Sequence, residues 1–252
     1  MTRDGQPRSK AAASKAPTRP RRGTNGEVTG RRKQAAKPEP IGGSRTGAHG
    51  AKASPAGLAT LREVARREFA ARGYHAVSIR DMAKEAGLSL SVIYHYYATK
   101  QELLFDVLNE GIDSFHGVLA RHAWPDASSD PVERFLILVA SMVEYRAKLP
   151  IDSMLFIREV RNLDPEYAQR IAARRSASQK FFDQVIGEGI DAGVFKTPYP
   201  DDARRAIIAM LNVIPDWYRP SGKLKIDALT ARYSRLALSI VEYDGDLDAL
   251  PK

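Results

Sequence analysis

The sequence predicts an all-α fold: an N-terminal three-helix domain with a helix-turn-helix, followed by a larger C-terminal helical domain. Three observations predict it. Apolar residues recur at helical spacing from Leu58 to Val241, and no stretch alternates as a half-buried strand would. Helix-start signals punctuate that pattern at Ser54-Pro55, Ser78 with Asp81, Thr99 with Glu102, Asp130-Pro131 and Asp164-Pro165. Between two of these starts lies Gly87, a residue suited to a tight turn with positive φ. The expected boundaries are a disordered basic tail over 1–53, the helix-turn-helix domain over 54–100, the larger domain over 101–244 and a short tail over 245–252.

The tail over 1–53 is rich in Ala, Gly, Pro, Ser, Arg and Lys, and Met1, Val28 and Ile41 are its only large apolar residues. It buries too little surface to offset its chain entropy. It carries 13 Lys and Arg against 3 Asp and Glu, a net of +10, so the rest of the chain sums to −1 within the whole-chain +9. The polycation is therefore the tail, with clusters at Arg19 to Arg22 and Arg31-Arg32-Lys33. Such an arm suits non-specific phosphate contact; a solvated tail without a role is the alternative.

The first helix opens at Ser54-Pro55, places Leu58, Leu61, Ala65 and Phe69 on one face and ends at Gly73. The second covers 79–86 behind the box Ser78-Ile79-Arg80-Asp81, with Ile79, Met82, Ala83 and Ala86 inward. After Gly87, Ser89 caps a third, short helix. Val92 or Ile93, and Tyr96 or Tyr97, pack inward, which leaves Ser91, Tyr94 and His95 for contact outside. Two capped helices joined at a glycine turn match the helix-turn-helix pattern. Ser89, Ser91, Tyr94 and His95 can bond phosphates or base edges, and Leu90 or Val92 can meet a thymine methyl. Ser78, Arg80 and Lys100 are the phosphate candidates, with Lys100 foremost because it starts a helix whose dipole favours an anion.

The fourth helix runs from Lys100 to about His122, and the fifth from Asp130-Pro131 to just before Pro150. The sixth covers about 151–162, and the seventh runs from Asp164-Pro165 to Gly193. The eighth and ninth, 201–217 and 226–243, carry broad apolar surface with Ala on both, which suits a four-helix bundle across a two-fold axis. Between helices of the larger domain, Met142, Tyr145, Met154, Phe156, Arg158, Phe181 and Trp217 are candidates for lining a pocket, and Arg158 or Arg161 for pairing an anion.

Other chemistries find little support. There is no cysteine, which excludes disulfides and thiolate catalysis and suits a reducing compartment. No run of 18 apolar residues and no secretory h-region appear, so a cytoplasmic protein without a membrane partner is expected. The five histidines lack metal-ligand spacing, and neither a metal nor a cofactor is expected. Gly187-Glu188-Gly189-Ile190-Asp191-Ala192 fits a dinucleotide fingerprint as a string, but it ends a helical pattern instead of following a strand. No catalytic constellation is present.

Residues 58–104 closely resemble the N-terminal domain of TetR-type transcriptional regulators. The resemblance is carried by Phe69-Ala70-Ala71-Arg72-Gly73-Tyr74, Ser78-Ile79-Arg80-Asp81-Met82-Ala83, Ala86-Gly87 and Ile93 through Leu104. Leu90-Ser91-Val92 stands where many members carry Lys-Gly-Thr, and Tyr97-Ala98 replaces a common Phe-Pro or Phe-Ser. Residues 156–163 with Trp217-Tyr218-Arg219-Pro220-Ser221-Gly222 look like a subgroup that governs fatty-acid or steroid catabolism and responds to acyl-coenzyme A thioesters. The resemblance implies a homodimer, most readily a repressor, on a pseudo-palindromic double-stranded DNA operator, released by a small-molecule effector. A nucleoid-type DNA-binding protein without effector and an all-helical enzyme stand as alternatives.

Overall fold

The computed structural model describes residues 54–247. The tail over 1–53, with its proposed arm, and the last residues of the short C-terminal tail lie outside the described residues. The described residues form ten α-helices, one 3-10 turn and no strand. The head comprises α1 (Pro55–Arg72), α2 (Ile79–Glu85) and α3 (Leu90–Tyr96). The body comprises α4 (Lys100–Arg121), α5 (Pro131–Lys148), α6 (Pro150–Glu159), α7 (Pro165–Asp191), α8 (Pro200–Asn212), α9 (Ile214–Trp217) and α10 (Ile226–Ile240).

The local chemistry explains the starts and stops. Ser54 accepts the Gly57 N–H, Pro55 occupies the first turn, and Gly73 at φ 79° closes α1. The Ser78–Asp81 box forms in both directions. Thr99 caps α4 through the Glu102 N–H, but the Glu102 carboxylate takes the Ala98 N–H at 2.8 Å instead of returning to Thr99. Asp130 caps α5 through the Val132 N–H.

Two expected helices end differently. The sixth finishes as a 3-10 turn over Val160–Asn162. The single eighth helix over 201–217 is broken: α8 stops at Asn212 and the short α9 begins at Ile214. Pro215 has no N–H for the Leu211 carbonyl, and its ring crowds that carbonyl, so the helix cannot run through.

Two apolar clusters hold the fold. One seats α1 to α3 and includes Leu61, Phe69, Met82 and Ile93. It does not stop at residue 100: Leu103, Leu104, Val107 and Leu108 of α4, Leu155 of α6 and Ile171 of α7 belong to it. The other joins the second half of α4 to α5, α7, α8, α9 and α10 around Phe135, Leu138, Phe182 and Phe195. The glycine string in α7 acquires a packing reason here. The Phe195 ring occupies the space a Cβ on Gly189 would need. Gly189→Ala is expected to destabilise the fold by about 1–3 kcal/mol through overpacking, measurable as a fall in Tm. Gly187→Ala, with open space around it, is the control and should leave Tm within about a degree or raise it.

Candidate nucleic-acid interface and body cavity

The short helix α3 is held by its inner face. Ile93 is fully buried and Tyr97 nearly so. The Tyr97 hydroxyl meets Asp106 of α4 and accepts from Arg62 Nε at 2.9 Å. Burial, reinforced by the Asp106 hydrogen bond, raises the Tyr97 phenol well above the usual tyrosine range, so it stays a donor at neutral pH. Tyr96 is half-buried and donates to the Ser54 carbonyl at 2.5 Å, tying the end of α3 to the start of α1. Of the two inward pairs, Ile93 and Tyr97 are thus the deep residues, with Val92 and Tyr96 at the margin.

What remains outside is a compact polar face. Tyr94 is 55% exposed, Ser91 and His95 are exposed, and Leu90 and Val92 are half-buried beside them. Ser89 is exposed and its hydroxyl caps α3 through the Val92 N–H at 3.3 Å. Ser78 is similarly committed, accepting the Asp81 N–H at 3.1 Å and donating to its carboxylate at 2.7 Å. Arg80 is exposed and makes no ion pair among the described residues. Lys100 is half-buried, donates to the Tyr74 carbonyl and lies 4.0 Å from the Tyr74 ring centroid. Burial pushes its ammonium below the usual lysine range. Its first partner is therefore the α1–α2 loop, and any phosphate shares the ammonium with that carbonyl.

The head is fastened to the body through α4 and α6. Arg66 of α1 reaches Glu110 of α4 and Asp152 of α6, each at 2.7 Å. Behind α1, Glu159 accepts the Tyr74 N–H at 3.0 Å. Burial raises the Asp152 carboxyl above its ordinary value, and the Arg66 charge opposes that shift.

Within the body lies a cavity of about 240 Å³ among α4, α5, α6, α7 and α8. Of the expected lining residues, Met142, Tyr145 and Phe156 reach it. Met154, Arg158, Phe181 and Trp217 do not. Met154 sits half-buried on another side of α6. Arg158 pairs with Asp216 at 3.1 Å on the surface. Phe181 faces Trp124 and His116, and Trp217 stacks on Tyr233 at 6.4 Å between centroids. The break after Asn212 carries Trp217 away from the cavity, and the helical phase of α6 turns Phe156 inward while leaving Arg158 outside.

The cavity also holds a residue that the sequence reasoning passed over. Arg146 of α5 is only 7% exposed. It donates to Ser153 Oγ of α6 and to Asn212 Oδ1 of α8, each at 2.6 Å. Among the described residues its Nε has no hydrogen-bond partner, and no carboxylate pairs with it. Burial lowers its pKa to about 10, with the exposed Arg175 at the cavity adding to the depression, so it is still a cation at neutral pH. The signal was legible: Phe135, Leu138, Val139 and Met142 form the apolar stripe of α5, and Arg146 falls on it four residues after Met142.

Comparisons with known proteins agree with this geometry. Residues 61–107 match the family described as bacterial regulatory proteins, tetR family, and residues 128–241 match the tetracyclin repressor-like C-terminal domain. The HTH-type transcriptional repressor KstR2 of Mycobacterium tuberculosis is 28% identical over 189 residues, covering 73% of this chain and 92% of that one. A tetR-family regulatory protein from Rhodococcus RHA1 superimposes with a TM-score of 0.70 at 29% identity, over 76% of this chain and all of that one. AibR, solved with isovaleryl coenzyme A and operator DNA, gives a TM-score of 0.65 over 75% of this chain and 99% of that one; at 22% identity the likeness is one of fold. The chain belongs to the TetR family of bacterial regulatory proteins, and is a DNA-binding transcriptional regulator rather than an enzyme.

Proposed function

We propose that this chain is a cytoplasmic homodimeric repressor that lays α3 of each protomer into a major groove of a pseudo-palindromic operator and leaves it when an acyl-coenzyme A thioester fills the body's cavity. The carrying observation is the exposed Ser91, Tyr94 and His95 face on a helix whose other side is locked into the head. Those three residues, with Leu90 and Val92, read base edges, and Ser78, Arg80, Ser89 and Lys100 meet phosphates. The basic tail over 1–53 adds sequence-independent phosphate contacts. The name of the KstR2 relative supports the sign of regulation. The thioester class is supported by the resemblance of residues 156–163 and 217–222 to acyl-coenzyme A-responsive regulators.

Helix α6 is suited to carry the signal. Adjacent residues on it have different partners: Ser153 is held by Arg146 of the cavity lining, and Asp152 is paired with Arg66 of the head. A ligand that shifts α6 acts on both, and the coupling is reciprocal: operator weakens ligand binding by the factor ligand weakens operator binding. Titrating acyl thioesters against an operator fragment, obtained by selection from random DNA, tests the reading. A loss of at least about tenfold in affinity is expected at saturation, at the low end of allosteric couplings; unchanged affinity with saturated protein eliminates the thioester class.

For the dimer, α8 and α10 leave an unpartnered surface of Ala206, Ala209, Val213 and Leu236, while Ile207, Leu211 and Ala237 face their own core. Leu236 is 52% exposed. Placing Glu there should leave the protomer folded and weaken self-association by about a hundredfold or more, because two apolar contacts are lost per dimer. Sedimentation velocity reads this directly; an unshifted dimer would move the interface elsewhere.

A further inference from the structure

We infer that the cavity in the body is built for a ligand with an apolar chain that ends, at its buried end, in a carboxylate paired with Arg146. The inference rests on the effector reading of the same cavity and specifies the chemistry of what enters it.

Arg146 is a buried cation whose hydrogen-bond partners are both neutral and whose guanidinium carbon lies 5.3 Å from the centroid of the Tyr145 ring. Two of its five N–H hydrogens go to Ser153 of α6 and Asn212 of α8. Both acceptors are uncharged, so they position the guanidinium without neutralising it. The Nε hydrogen and the second hydrogen on each terminal nitrogen have no protein partner. Held from two other helices, the planar group is fixed and has donors to spare. The half-buried arginines differ: Arg66, Arg134 and Arg204 each meet a carboxylate. An isolated buried charge is unfavourable unless something compensates it, and a fitting apolar side chain would serve packing better. A carboxylate matches the guanidinium fork and supplies the missing charge.

The rest of the lining selects the ligand's body. Ile112, Phe115, Met142, Phe156, Phe182 and Ile208 face the same space. Together they accept an unbranched or alicyclic apolar chain. Arg175, exposed on α7, places a second positive charge at the cavity's solvent side, where an outer anionic group would pass. The pattern therefore fits either a free carboxylic acid or the monothioester of a dicarboxylic acid, whose far carboxylate meets Arg146.

Calorimetric titration of the full chain without DNA tests the inference, with octanoate against octanol and suberoyl-coenzyme A against octanoyl-coenzyme A. Octanoate is expected to bind about tenfold or more tightly than octanol, and Arg146→Gln should remove that preference while sparing octanol binding. Arg146→Met serves as the second neutral variant, and Arg146→Lys should retain part of the preference. A preference for suberoyl- over octanoyl-coenzyme A, also lost in Arg146→Gln, identifies the thioester as the source of the carboxylate. Equal binding of those two, with the octanoate preference intact, identifies a free acid. Equal affinities within both pairs, no binding of either octanoate at millimolar concentration or suberoyl-coenzyme A, or a preference that survives Arg146→Gln and Arg146→Met overturns the assignment. An Arg146-dependent preference with operator affinity unchanged leaves this site standing and removes the effector role.

Discussion

Tyr94→Ala lowers operator affinity by about 2–6 kcal/mol per dimer, because a base-reading contact of about 1–3 kcal/mol is lost in each half-site. Tyr94 is more than half exposed and no side-chain hydrogen bond among the described residues holds it, so the variant should melt at the wild-type temperature. Affinity for non-operator DNA should change far less, since that term comes from phosphate neutralisation. Fluorescence anisotropy at fixed salt with operator and scrambled fragments measures both. A uniform loss on the two fragments would recast Tyr94 as a backbone contact, and no loss on either would remove α3 as the reading helix. His95→Ala, one residue along the same exposed face, offers an independent check of that assignment.

The second large effect concerns stability. Phe69→Ala should cost about 3–5 kcal/mol, the range for deleting a fully buried aromatic ring. Its neighbours in the cluster, Leu61, Met82, Ile93 and Leu103, come from four helices, α1 to α4, so no single element can relax into the void. For a chain of this size the loss corresponds to a fall of roughly 6–20 °C in Tm. The apolar cluster under α3 runs on into α4, α6 and α7 through Leu103, Leu155 and Ile171, so head and body should melt in one transition. Circular dichroism and calorimetry on the same sample check this. Separate melting of the head would show that the shared cluster adds little cooperativity.

The two effects lie on opposite faces of the same small motif. Ile93 and Tyr97 fix where α3 sits, and on the proposed reading Tyr94 and His95 use that placement. The geometry of the reading face therefore depends on residues that never approach DNA. Arg62 illustrates this. It lies on α1, meets Asp106 and Glu110 of α4, and bonds the Tyr97 hydroxyl at the end of α3. A charged side chain on α1 is here the brace behind α3.

The helices of the head and the start of α4 could be read from the residues alone, because capping is local. Ser54, Ser78, Ser89 and Thr99 bond groups within three residues of themselves, and Gly73 and Gly87 adopt the positive φ that a side chain would strain. The polar face of α3 was legible for the same reason, since seven residues leave few ways to divide inside from outside. Which residues meet in the body emerges with the packing of the helices. Helical spacing puts Met142, Phe156 and Trp217 equally on apolar faces, and the break at Asn212 sends Trp217 outward. Arg146 is the sharpest case: its place on the stripe of α5 marks it as buried, but its partners come from two other helices, Ser153 from the next one and Asn212 from 66 residues further along the chain. Periodicity records which side of a helix is buried; it carries no record of which other helix lies against that side, and a cavity is a property of several helices at once.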